Sequence, residues 1–138
     1  MRIELTDDLD SCRTLRRTVF IEEQNVPEAE EWDGLDGQAI HLLAWQDGEA
    51  VGTARILLQG DIGKIGRVCV LPQARGTGLG AALIRAALDV LRIRPGIVRA
   101  KLGAQTHAIG FYEKLGFKAY GPEYDDAGIP HRDMVRDL

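Results

Sequence analysis

The segment Val68-Cys69-Val70-Leu71-Pro72-Gln73-Ala74-Arg75-Gly76-Thr77-Gly78-Leu79-Gly80 runs from an apolar stretch into a glycine-rich turn. A stripe of helical spacing follows it, through Leu79, Leu83, Ala86, Ala87 and Val90. Glycines let backbone N–H groups converge on a bound anion, and a helix N-terminus adds partial positive charge, so strand, turn and helix together make a phosphate cradle. Arg67 and Arg75 place formal charge nearby. The bland reading is a helix entry that needs glycine only for close packing. A P-loop needs Lys-Ser/Thr after its last glycine, and here Ala81-Ala82 follow Gly80. Gly76-x-Gly78-x-x-Ala81 meets the loose dinucleotide pattern, but the next strand offers Arg99 and Lys101 where that fingerprint wants an acid. Neither an ordinary nucleoside triphosphate nor a dinucleotide fits.

Other residues could move protons. Tyr112 falls on an apolar stripe with Ala108, Phe111 and Leu115, where an aromatic is commonly core. A free phenol, with a pKa of roughly 10, is also protonated at neutral pH and can act as an acid. His41 and His131 fall on strands, where a histidine is either a structural hydrogen-bonder or a base. Residues 22–36, EEQNVPEAEEWDGLD, hold seven acids and no base. They are either a solvated loop or a rim that attracts a cation.

The elements that must position these groups follow from patterning. Arg2–Leu5 reads as a strand, and Thr6 as the cap of a helix running from Asp7 to about Glu22. Ala39–Gln46 and Glu49–Leu58 form a hairpin around Asp47-Gly48. Gly60–Gly63 turns the chain into a strand over Lys64–Leu71. Helix Gly78–Leu91, strand Ile97–Leu102 and helix Thr106–Leu115 follow, with Gly116 as a left-handed stop. Phe117–Tyr124 and Arg132–Val135 close as antiparallel strands. Three hairpin-linked strands before strand–helix–strand units predict an α+β domain, residues 1–138, with a mixed sheet and helices on its faces.

Composition sets the outer limits. The chain has 138 residues, 45% hydrophobic and 28% charged, which excludes a disordered chain. No apolar run approaches a membrane span, and the acidic start MRIELTDDLD is not a secretory signal. A net charge of −4 argues against nucleic-acid binding. Cys12 and Cys69 stand apart without metal-ligand spacing and read as buried thiols in a reducing cytoplasm, so no metal is expected.

Gln73-x-x-Gly76-x-Gly78 after Arg67-Val68-Cys69-Val70 resembles the acyl-CoA-binding motif of the GNAT N-acetyltransferase superfamily. Gln105-x-x-Ala108-x-x-Phe111-Tyr112-Glu113-Lys114-Leu115-Gly116-Phe117 resembles that family's second motif, and EEQNVP, LGAQTH and GIPH are similar to its ElaA-like branch. The resemblance implies a mostly antiparallel sheet of six to seven strands, splayed into a V between strands four and five, with acetyl-CoA in the V. It implies that the pyrophosphate sits on the amides of Arg75, Gly76, Thr77, Gly78, Leu79 and Gly80. The pantetheine would pair with the backbone of Val68 and Val70, across Cys69, with the N–H of Val70 meeting the oxyanion. Gln105 stands where many members carry an asparagine that contacts the CoA arm. Tyr112 matches the tyrosine that protonates the departing thiolate.

The implied reaction is direct acetyl transfer to an amine of a small molecule or peptide, by a monomer or homodimer. Strand four, Lys64-Ile65-Gly66-Arg67, lacks the glutamate some members use as a base. Glu22, Glu23, Asp33, Asp36, His41 and His131 are the alternatives, with His131 preferred over Glu23. Trp32 and Trp45 are core aromatics or walls of the acceptor site. The rival reading is a non-catalytic acyl-CoA-binding or sensing module, which would not need the Tyr112 hydroxyl.

Overall fold

A computed structural model describes all residues from Met1 to Leu138. The chain forms β1 (Arg2–Thr6), α1 (Leu9–Arg16), α2 (Glu28–Glu31), β2 (Ile40–Gln46), β3 (Glu49–Gln59), β4 (Ile62–Val70), α3 (Leu79–Arg92), β5 (Arg99–Gln105), α4 (Ile109–Glu113), β6 (Lys118–Asp126) and β7 (Ile129–Asp137). The strands make one seven-stranded sheet in the order β1-β2-β3-β4-β5-β7-β6. Every neighbouring pair is antiparallel except β4–β5.

That parallel pair is short. It joins Ile62–Lys64 to Arg99–Lys101 and no further. Beyond Lys64 and Lys101 the two strands part, while β4 stays paired to β3 and β5 to β7. The sheet therefore opens into a V whose arms are the rest of β4 and β5, as the family resemblance implied.

Alternation along β2 shows how the layers form, because successive strand residues face opposite sides. Leu43 packs with Cys12, Leu15 and Val19 of the first helical segment and with Cys69. Its neighbours Leu42 and Ala44 pack with Leu79, Leu83, Ile84, Ala87, Leu88 and Leu91 of α3. Helices thus cover both faces. The α3 face is held very closely at Gly63, where any Cβ would run into the Leu91 side chain.

Several boundaries differ from the sequence reading. Asp8, not Thr6, caps α1, accepting from Ser11 N at 3.1 Å, while Thr6 Oγ1 accepts from Asp8 N. The α-helix ends at Arg16 and continues as a π-helical turn over Arg17–Glu23. The last helix is a 3₁₀ turn at Thr106–Ala108 followed by five α residues. The closing strands pair through to Asp126 and Ile129, so the hairpin is longer than its apolar residues alone marked. The turns themselves stand where glycine and aspartate placed them: Asp47 and Gly48 have φ of 51° and 81°, and Gly116 has φ of 91°.

Candidate active site

The glycine turn delivers what its composition promised. Gly76 and Gly78 sit at φ of 76° and 83°, and an added Cβ at either would meet open space. The backbone N–H groups of Gly76, Thr77, Gly78, Leu79, Gly80 and Ala81 donate to no acceptor in the protein, and the first helical bond of α3 is Ala82 N to Gly78 O at 3.0 Å. Six successive donors at the start of a 14-residue helix suit a diphosphate. The side chains lie clear of it: Thr77 Oγ1 donates to Ala74 O at 2.6 Å, Leu79 is buried in the core and Gln73 is exposed.

Arg75 departs from the sequence reading. Its N–H closes a 3₁₀ turn onto Pro72 O, so the run of free amides starts one residue later, at Gly76. Its guanidinium clamps Glu23, Nη1 to Oε2 at 2.8 Å and Nη2 to Oε1 at 2.7 Å, while Nε donates to Val70 O at 3.0 Å. Arg67 is engaged as well, by Glu31 Oε2 at 3.0 Å and Asp33 Oδ2 at 3.3 Å. Both cations assigned to the cradle are thus neutralised by the protein's own carboxylates.

The open edge of β4 follows from strand alternation. Leu71 N donates to Val51 O beside β3, so the amides of Val70 and Val68 turn the other way, toward the V. A bulge reinforces this: Gly66 pairs with Arg55 and Cys69 with Thr53, leaving Arg67 and Val68 against Ala54 alone. Arg67 takes φ of 50° there, a left-handed conformation unusual for a side chain of its size. Cys69 turns its thiol into the opposite, α1-facing cluster, where burial pushes it up to about 12. It is an inert thiol.

A cleft of about 400 Å³ fills the V. It is lined by Gly66, Arg67 and Val68 on one arm, by Gly103 and Gln105 on the other, and by Tyr112. Tyr112 stands edge-on to Phe111 and Phe117, with ring centroids 5.0 and 6.1 Å away. Burial raises its hydroxyl above the usual phenol range, which keeps it protonated at neutral pH. Gln105 Nε2 donates to Gln24 Oε1 at 3.0 Å, and its Oε1 faces His107 Nε2 at 2.7 Å, linking the β5 arm to the end of the π-helical turn.

His131 lines the same cleft, directly across the β5–β7 ladder from Gln105. Its Nδ1 lies 2.8 Å from Ile129 O. A carbonyl only accepts, so Nδ1 carries a hydrogen, and in the neutral ring the lone pair is on Nε2. The ring stacks on Tyr124, centroids 6.0 Å apart at 25°, and Tyr124 donates to Asp133 Oδ1 at 2.8 Å.

The other proton acceptors either lie outside the cleft or are held by arginines. Glu23 is outside the cleft lining, and Arg75 holds its carboxyl below the ordinary range, the reverse of what a base needs. Asp33 and Asp36 belong to a buried ion cluster: Arg55 Nη2 reaches Asp33 Oδ2 at 2.8 Å, and Arg16 bridges Glu31 at 2.8 Å and Asp36 at 2.7 Å. His41 is buried with Nε2 against Asp36 O at 2.9 Å, a structural contact. Trp32 and Trp45 do not line the cleft; Trp32 lies against the guanidinium groups of Arg16 and Arg17, and Trp45 donates to Glu4.

The acidic segment is therefore largely not a rim. Glu23, Glu28, Glu31, Asp33 and Asp36 all carry arginine partners, which leaves Glu22 and Glu30 without an ion pair. The arginines Arg13, Arg16 and Arg17 of the first helical segment, with Arg55, Arg67 and Arg75, are dispersed along the chain. Only the fold shows that they converge on one loop. Tyr124 and Gln24 were also missed, because nothing in their local spacing sets them apart from surface residues.

Residues 8–138 match the Acetyltransferase (GNAT) domain. Protein ElaA of Escherichia coli (strain K12) is 37% identical over 128 residues, 90% of this chain and 84% of that protein. Its crystal structure superposes with a TM-score of 0.86, at 33% identity, over 98% of this chain and 99% of that one. An acyl-CoA N-acyltransferase from Pseudomonas aeruginosa gives a TM-score of 0.88 at 33% identity, over 99% of both chains. A Bacillus subtilis acetyltransferase solved in complex with CoA shares the fold, with a TM-score of 0.75, 20% identity and coverage of 99% and 98%. A split sheet, a row of free helix-entry amides, a family match across nearly the whole sequence and close full-length relatives agree, and the chain belongs to the GNAT acetyltransferase family.

Proposed function

We propose that the protein transfers an acetyl group from acetyl-CoA to an amine by direct attack, with His131 as base and Tyr112 as acid. One observation carries this reading: a single cleft is lined by the β4 edge, by Tyr112 and by His131. The Bacillus subtilis relative by fold holds CoA, and the free amides from Gly76 to Ala81 offer the same kind of ligand a diphosphate seat here.

Acetyl-CoA supplies the thioester. This chain's residues do the rest. The N–H groups of Val68 and Val70 face the open edge of β4, where they can bind the pantetheine arm and meet the negative charge that develops on the carbonyl oxygen. The acceptor reacts as the neutral amine, whose lone pair forms the C–N bond, and the His131 Nε2 lone pair takes the proton that this nitrogen sheds in becoming an amide. Tyr112 gives its proton to the thiolate sulfur as the C–S bond breaks, and the amide nitrogen keeps the acetyl group. No covalent enzyme intermediate is needed, so holding both partners in the V supplies a large share of the rate, roughly 7–11 kcal/mol for a well-aligned pair. The reaction belongs in the cytoplasm, where acetyl-CoA is available.

The test is thiol release from acetyl-CoA across a panel of amines, with Tyr112→Phe alongside wild type. Amine-dependent release that Tyr112→Phe loses supports the reading. Binding of acetyl-CoA with no release for any amine would make the protein an acyl-CoA-binding module instead.

A further inference from the structure

The cleft carries seven fully charged side chains, and four of them neutralise one another: Glu31 and Asp33 with Arg55 and Arg67. Three have no ion-pair partner: Lys64, Glu30 and Asp126. Their positions are not random. Lys64 sits at the closed end of the V, in the last β4–β5 pair before the strands separate. Asp126 lies beyond His131 near the tip of the β6–β7 hairpin, and Glu30 is on α2. One positive group therefore stands at one end, and two negative groups lie apart from it.

The Lys64 position is electrostatically costly as it stands. Its cross-strand partner is Lys101, and like charges side by side on one face of a sheet destabilise it. Lys101 is accommodated, with its ammonium 5.7 Å from the centre of the Tyr120 ring and Asp133 nearby. Lys64 is exposed in the cleft without an acid beside it, next to Gln59, whose side-chain amide makes no hydrogen bond within the protein.

Between Lys64 and His131 neither arm of the V carries a Cβ on its central residue. Pairing puts Gly66 and Gly103 on this same face, one on each arm of the V. A Cβ at Gly66 would enter open space, and one at Gly103 would strike the Tyr124 hydroxyl. Gly66 therefore leaves an open trough, with Leu57 on one side and Tyr124, which covers Gly103, on the other. Along β5, the row of Gln105 and His131 lies four residues above Lys101, a rise of about 13 Å. The four-carbon stem of Lys64 takes up part of that distance.

We propose that the acceptor is an ω-amino carboxylate: a primary amine that reacts beside His131, joined by a flexible apolar chain to a carboxylate bound by Lys64 and Gln59. Glu30 and Asp126 favour the ammonium end on approach. The nitrogen and carboxylate of an α-amino acid are too close together to span the trough, so the α-amine of glycine or alanine is a poor acceptor. This inference rests on the acetyl-transfer reading for the identity of the reacting end, and on the Lys64 geometry alone for the carboxylate.

The probes are 6-aminohexanoate and hexylamine, which share the amine and the chain and differ in the carboxylate. Wild-type kcat/KM for 6-aminohexanoate should exceed that for hexylamine by about tenfold, the scale of one hydrogen bond to a charged group. Lys64→Gln should bring the ratio close to one, mainly through KM, and Lys64→Glu should reverse it in favour of 1,6-diaminohexane. A second arm reads binding without turnover: with CoA present, 6-aminohexanoate should raise Tm of wild type and not of Lys64→Gln. Equal kcat/KM for the two probes in wild type, or a preference that survives Lys64→Gln, overturns the proposal while leaving acetyl transfer intact. If no amine is acetylated, the transfer reading fails. The thermal arm then decides the carboxylate site, for it if the Tm rise depends on Lys64 and against it if no rise occurs.

Discussion

Asp36→Asn keeps the shape of the side chain and removes its charge, and the ion cluster makes the outcome calculable. Asp36 Oδ1 accepts from Arg16 Nη1 at 2.7 Å and Arg55 Nη1 at 3.2 Å, and Oδ2 accepts from Arg13 Nε at 3.1 Å. Arg16 and Arg55 are 1% and 5% exposed. Burial by itself would raise the Asp36 carboxyl, but the guanidinium of Arg16, helped by Arg13 and Arg55, outweighs it and brings the group down to about 2. Against an ordinary value of roughly 3.9, that difference is worth roughly 2–3 kcal/mol at neutral pH. Breaking a buried pair from one side typically costs about 3–5 kcal/mol, because the remaining cation is stranded. The two figures meet near 3 kcal/mol.

For 138 residues, an unfolding entropy of roughly 2.1 cal/mol/K per residue turns 3 kcal/mol into a fall in Tm of about 10 °C. The sign with pH is fixed. The folded carboxyl is depressed, so its stabilisation is complete above the unfolded value and disappears as pH falls through about 2. Thermal melts of both proteins at steps from pH 7 to pH 2.5 check this. The gap in Tm should be full at pH 5–7 and narrow steadily below pH 4. A gap under 2 °C at pH 7, or one independent of pH, refutes the claim that this cluster holds the loop to the sheet.

Gly78→Asp puts a side chain and a negative charge among the free amides at φ of 83°, so acetyl-CoA should no longer stabilise the protein; wild type should gain about 2.7 kcal/mol at 100 times Kd, read as a Tm shift. Tyr112→Phe should lower kcat and kcat/KM together by ~10²–10⁴-fold with acetyl-CoA affinity retained, and a wild-type rate would make Tyr112 a packing residue only. His131→Gln should lower kcat/KM by ~10²–10⁴-fold with acetyl-CoA affinity retained, and a wild-type value would assign the base elsewhere. Gly63→Ala drives a methyl into Leu91 on the α3 face and should cost about 1–3 kcal/mol, visible as a lower urea midpoint with m unchanged.

The parts of the fold read from sequence were those written in local chemistry. Asp47-Gly48, Gly116 and the Gly76–Gly80 turn each need backbone angles that few residues adopt, so composition located them. The pattern of Ala39–Gln46 and the stripe Leu79, Leu83, Ala86, Ala87 and Val90 marked a strand and a helix, both of which pack on the core. The short β4–β5 pairing has no local signature and came only through the family resemblance. The segment from Arg17 to Glu23 kept helical spacing, but periodicity does not distinguish a π-helical turn from an α-helix over seven residues.

Charge was the least legible property, for a physical reason. A count along the chain records how many acids a segment holds, whereas potential depends on what approaches them in space. Residues 22–36 count as seven negative charges, yet five are met by arginines from α1, the π-helical turn, β3, β4 and the glycine turn. The pairing also explains how the cleft wall is held. Arg67, at its left-handed bulge in β4, reaches Glu31 and Asp33, while Arg55 on β3 reaches Asp33 and Asp36. The strand that lines one side of the cleft is thereby tied to the loop that lines another. With those charges spent on structure, Lys64, Glu30 and Asp126 are the charges in the cleft without an ion-pair partner, and under the proposed acetyl transfer their separation favours an acceptor with opposite charges at its two ends.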